Sequence, residues 1–188
     1  MQFPRDTPFM WWMVSRFFIL LGVYFLQTYA FLFVKNVIRP LEPNAIVGPL
    51  LAVIGVLLAI CTQPAGVIAD RVGHKRMVFV AGALNAIGVF LMIFATGRVM
   101  FNVGDFEVMD VMLFGAFVGV GMGIFLATNW ALGIQLALSD AGGKYLGLSN
   151  LATAGAGMAV SIGGPIIDFF GYAPMFLTGT VSILLGMA

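Results

Sequence analysis

Residues 111–137 read VMLFGAFVGVGMGIFLATNWALGIQLA, 27 positions without a charge. A helix needs about 20 apolar residues to cross a hydrocarbon layer of about 30 Å, so this stretch is long enough to span a bilayer. Gly115, Gly119 and Gly123 recur at every fourth position. That spacing lines them up on one helical face, where a second helix can approach closely. Gly119, Gly121 and Gly123 superficially imitate a dinucleotide-binding loop, but no strand precedes them and no acidic partner follows.

Five further runs share this character. Residues 11–34 are uncharged except for Arg16, and 45–67, 77–96 and 145–167 carry no charge. Residues 173–188 are apolar but short, so a span cut short is expected there. Pro40, Pro43, Asn44, Gly97, Gly142, Gly143 and nearly all the charges fall between the runs. Backbone in lipid must satisfy its hydrogen bonds internally, so six transmembrane helices in a single bundle are the economical expectation. A β-barrel would alternate apolar and polar residues over strands of about ten residues, and the sequence shows no such alternation.

Composition agrees. Of 188 residues, 61% are hydrophobic and 9% charged, where soluble domains carry about a quarter charged residues. That argues against a soluble enzyme, a disordered chain and a nucleic-acid binder, and the net charge of +1 offers polyanions no surface. The single cysteine, Cys61, cannot form an internal disulfide. The first eight residues are too short and proline-interrupted for a secretory signal, so the first apolar run is expected to be a retained span.

Basic residues set the expected orientation. With the amino terminus cytoplasmic, the inner side carries Arg5, Arg16, Arg71, Lys75, Arg76 and Lys144, and the outer side Lys35, Arg39 and Arg98. Trp11 and Trp12 then suit an interfacial anchor at the inner face. An inner (plasma) membrane location follows as the expectation.

Between the second and third runs stands Gly66-Val-Ile-Ala-Asp70-Arg71-Val-Gly73-His74-Lys75-Arg76. Gly66 and Asp70, four apart, share a helix face, and Gly66 would admit a neighbouring helix. Asp70 falls at a helix carboxyl end, where the macrodipole disfavours an anion. It therefore needs a partner, such as Arg71 or the amino end of an adjacent helix. Gly73 permits a tight reversal. A basic topogenic turn is the simpler explanation of the same residues.

This stretch resembles the loop signature of the major facilitator superfamily: glycine, three residues, aspartate, a basic residue, any residue, glycine, then basic residues. Gly66, Asp70, Arg71, Gly73, Lys75 and Arg76 match it, and His74 stands where arginine is usual. Gly163-Gly164-Pro165 and the 139–147 segment are similar to other elements of that family. The resemblance implies six helices as two inverted three-helix repeats, half of a twelve-helix carrier working by alternating access, with residues 66–76 as a gate. Residues 15–28 look more like the start of a carboxyl-terminal half. A fragment or a split gene is therefore expected, with a second six-helix half as partner on the same or a separate chain.

In that fold the first and fourth helices line the central cavity. Tyr24, Gln27, Thr28 and Phe31 form a stripe at i, i+3, i+4, i+7 in the first run, and Asn129 and Trp130 lie together in the fourth. Amides in lipid are costly without a partner. Beside aromatic faces they suit a small neutral polar solute such as a sugar. Interhelical hydrogen bonding is an equal alternative for Gln27 and Asn129, and the preferred one for Asn85 and Gln63. No carboxylate lies deep in any predicted helix, and Asp110 and Asp168 are weak coupling candidates. No metal site, cofactor or catalytic constellation is expected: there is no Gly-x-Ser-x-Gly, no His-Glu-x-x-His and no cysteine pair. A non-transporting six-helix scaffold is the alternative function.

Overall fold

The computed structural model describes residues 3–136 and 142–188. The chain is all-α apart from one small hairpin, with helices α1 (Phe3–Phe33), α2 (Asn44–Val72), α3 (His74–Leu91), α4 (Asp110–Leu136), α5 (Gly142–Ala159), α6 (Gly163–Phe170) and α7 (Tyr172–Met187). A 3-10 turn, Val160–Ile162, joins α5 to α6 into one span. Among the described residues five spans are long and apolar enough to cross a membrane; α7 is a shorter apolar helix.

The helices run beyond the uncharged stretches wherever a charged side chain can reach the helix end. The π-helical turn Val34–Ile38 prolongs α1, which stops where Arg39 adopts a left-handed conformation ahead of Pro40. Between α2 and α3 only Gly73 is non-helical, at φ 101°, a conformation that favours glycine. The basic cluster therefore sits on two helix ends rather than in a loop.

Strands β1 (Val99–Val103) and β2 (Phe106–Met109) pair antiparallel between α3 and α4. They are a feature of the chain that hydropathy did not indicate. Asp110 closes the hairpin. Its carboxylate accepts from the backbone N–H groups of Thr96, Gly97 and Val111 and from the Thr96 hydroxyl, all within 2.9 Å. Those bonds occupy its oxygens and cap the first turn of α4, so Asp110 reads as a structural clasp.

Glycine faces set the packing. A Cβ at Gly119 would lie 2.7 Å from the Ile54 carbonyl oxygen, and one at Gly123 would lie 2.6 Å from that of Leu58. Gly115, Gly119 and Gly123 thus seat α4 on α2. Gly22 meets the backbone of Gly179 where α1 crosses α7, and Ser182 Oγ donates to the Phe18 carbonyl there at 2.8 Å. The remaining main pairs are α3 with α4, α3 with α7 and α1 with α5. Ile19, Val23, Leu26, Phe125, Phe176 and Ile183 fill the centre. Asn85 is buried, but it bonds the Ala81 carbonyl of its own helix instead of bridging to another. Gln63 is exposed on α2.

Candidate functional site: an arginine inside the bundle

Near the middle of α1, the carboxyl end of α4 and the middle of α5, three helices converge on one cation. Arg16 is 3% exposed. Its Nη1 donates to Asn129 Oδ1 at 2.5 Å and its Nε to Thr153 Oγ1 at 3.2 Å. The guanidinium lies 4.7 Å from the ring centre of Trp130 and 5.7 Å from that of Trp12, so aromatic faces replace part of its lost hydration. Trp12 is itself held: its indole N–H donates to the Asn129 carbonyl at 3.2 Å, and its ring occupies the space left by the missing side chain of Gly133.

The arrangement is incomplete as a set of pairs. Among the described residues no carboxylate reaches Arg16; the one ion pair there is His74 with Asp70. A guanidinium carries five N–H donors, and two have protein acceptors here. The Asn129 side chain is fully buried, and its Nδ2 has no partner. Ser149 is 2% exposed, and its Oγ has none either. Ser149 lies one turn from Thr153, on the same face of α5. The site therefore holds a positive charge, with an unpartnered amide N–H on Asn129 and an unpartnered hydroxyl one turn from Thr153.

Of the residues singled out from sequence, Asn129 and Trp130 belong to this site. Of the stripe on α1, only Tyr24 comes near enough to interact electrostatically with Arg16. Gln27 lies 11 residues beyond Arg16, about 16 Å along the helix axis at 1.5 Å per residue. Gln27, Thr28 and Phe31 are exposed and Tyr24 is half-buried. From sequence, Arg16 counts among the inner-side charges that set orientation, and Trp12 suits an interfacial anchor. Both are inside the bundle, while Trp11 is 69% exposed. Arg16 is discernible as the one charge within an apolar run, but its hydrogen-bond partners come from helices more than a hundred residues away.

The 66–76 stretch is arranged differently from the expectation. Ala65 and Ala69 take the buried face of α2, and Gly66 and Asp70, one position on, turn about 100° away from it. A Cβ at Gly66 would meet nothing within 4 Å, so no close helix contact forms on it among the described residues. The Asp70 side chain is 74% exposed, and its partner is not Arg71 but His74 Nε2, at 3.6 Å. The residue that departs from the family pattern is thus the one facing the aspartate. Arg71, Lys75 and Arg76 are exposed. Asp168 is exposed as well, and Ser139 and Asp140 lie outside the described residues.

A cavity of about 970 Å³ opens between the start of α1, the start of α3 and the ends of α4 and α7. Lys75 and Arg76 stand at its wall, and Trp12 is shared between that wall and the surroundings of Arg16. No protein-family model, no curated protein and no solved structure matches the chain. The chemistry of the site is accordingly read from its own geometry.

Proposed function

We propose that this chain is one six-helix half of a secondary carrier that moves a small solute across the membrane by alternating access. The observation that carries the reading is the buried Arg16. An ionisable side chain inside an apolar bundle is expensive, and such residues characteristically mark a solute or ion pathway. Gln27 and Thr28 support it: they are exposed on a 32-residue apolar span, well inside its ends. An amide facing hydrocarbon is costly, so this flank of α1 calls for water or a solute.

Helix pairing supports the architecture. Exchanging α1 with α4, α2 with α5 and α3 with α7 converts the α2–α4 pair into α5–α1 and the α3–α4 pair into α7–α1. That correspondence suits two three-helix units of inverted topology, and a site at their junction suits a rocking mechanism. α2 and the α5–α6 span are the least buried of the five long spans. In this reading a second six-helix half covers them, and the exposed Asp70 meets that half as a clasp, as resemblance to the major facilitator superfamily implies. The amino terminus is then cytoplasmic and the membrane the inner one.

Thiol accessibility tests this without knowing the solute. In a Cys61→Ser background, cysteines are introduced singly at Gln27, at Thr28 and at the apolar exposed Val56. A membrane-impermeant maleimide is then applied from each side. The reading expects the first two to react well above the third, with a balance between sides that solutes shift. Equal, negligible reaction at all three would put the flank of α1 in lipid and leave a non-transporting scaffold.

A further inference from the structure

We propose that the Arg16 site binds the carboxylate of a small organic monoanion, rather than a neutral polar solute. The proposal takes its place in a transport path from the carrier reading, but its binding chemistry stands on the site alone.

Three observations converge. Arg16 is 3% exposed and has no acidic partner among the described residues. Leaving one charge of a buried pair uncompensated is strongly destabilising, so the site is short of one negative charge. Next, Arg16 fixes the amide of Asn129. Because Nη1 must meet an acceptor, Oδ1 faces the guanidinium and Nδ2 is left as an unpartnered donor. Finally, Ser149 Oγ is buried and unpartnered on the face of α5 that presents Thr153 to the same guanidinium. The missing group must accept hydrogen bonds from a guanidinium, an amide N–H and a hydroxyl while carrying negative charge.

A carboxylate meets that description. Its two oxygens accept the fork of an arginine side by side, and their remaining lone pairs can take Asn129 and Ser149. The charge count limits the ligand to one negative charge: among the described residues Arg16 is the one cation at the site, and a phosphate dianion would leave an excess charge inside the bundle. Trp12 and Trp130 flank the guanidinium and favour a short apolar body behind the carboxylate. Lys75 and Arg76 on the wall of the neighbouring cavity would raise the local concentration of anions. A neutral sugar would leave the charge uncompensated.

The test is a binding titration of the purified chain in nanodiscs. The probes are acetate, butyrate and hexanoate, the three matching amides and inorganic phosphate. Tryptophan emission of a Trp11→Phe background reports the site, since two of the three tryptophans flank Arg16. At least one carboxylate should bind saturably, its amide should not, and phosphate should compete poorly. Arg16→Lys should weaken the carboxylate about tenfold or more, because the fork is lost. Ser149→Ala should weaken it several-fold with an unchanged melting temperature, because that hydroxyl has no partner in the protein. This variant keeps the test decisive if Arg16→Lys fails to fold. An amide binding as well as its acid, phosphate binding best, or no carboxylate binding at all would overturn the proposal. Exchange of the bound carboxylate in proteoliposomes is measured separately. Binding without exchange retains the site and removes the carrier reading; exchange of a neutral solute with no carboxylate binding does the reverse.

Discussion

The contact between α2 and α4 makes a quantitative demand on Gly119. A methyl group there would sit 2.7 Å from the Ile54 carbonyl oxygen and 3.0 Å from both Ile54 Cα and Leu57 Cβ. The closest of these falls about 0.7 Å short of ordinary contact, and the clash is with backbone, which cannot swing aside as a side chain can. α2 must therefore move away from α4 along the Gly115–Gly123 face. Overpacking of this kind costs about 1–3 kcal/mol, offset by the roughly 1 kcal/mol that alanine gains over glycine within a helix. Gly119→Ala should thus destabilise the bundle by up to about 2 kcal/mol, the net of the two. Gly66 is the control within the same helix pair: nothing lies within 4 Å of its Cβ position, so Gly66→Ala should be neutral or stabilising by up to about 1 kcal/mol. The assay is unfolding in mixed micelles by increasing sodium dodecyl sulfate, followed by far-ultraviolet circular dichroism. Gly119→Ala should be about 1–3 kcal/mol less stable than Gly66→Ala, and equal stability of the two variants would refute the packing argument.

Asp110→Ala should cost about 2 kcal/mol, because it strips a charged acceptor from three backbone N–H groups; proteolysis in the 99–109 hairpin, compared with the wild type, checks it. Asp70→Asn should change stability by less than about 1 kcal/mol, since an exposed pair with His74 contributes little. If the clasp reading holds, it should still slow transport at a normal membrane level of protein, measured as initial rate per molecule. Asn129→Ala removes an acceptor from Arg16 and should raise the Michaelis constant more than Gln27→Ala does, because only Asn129 touches the guanidinium. Equal effects of the two would place the solute elsewhere.

How far the site could be seen in advance differs residue by residue. Asn129 and Trp130 stood out as polar and aromatic positions in an apolar run, and both meet Arg16. The α1 stripe obeys the same periodicity, yet apart from Tyr24 it lies about three turns or more from that arginine, because helical spacing fixes which residues share a face but not which helix they meet. Gly66 matched a packing pattern and packs against nothing, since Ala65 and Ala69 claim the buried face. Thr153 and Ser149 carried no sequence signal, being small hydroxyl residues in a stretch rich in alanine and glycine.

What the chain determined without its tertiary structure is the number and character of its apolar helices and the turn at Gly73. Lipid demands long uncharged helices, and a left-handed φ demands glycine; both are local constraints that linear order expresses directly. What only the tertiary structure decided is that Arg16 lies inside the bundle without a counter-charge among the described residues. Whether a charge on a helix meets water, lipid or an amide depends on which helices cross it. Asn129 and Thr153 arrive there from 113 and 137 residues away, through glycine-set crossings that no local pattern encodes.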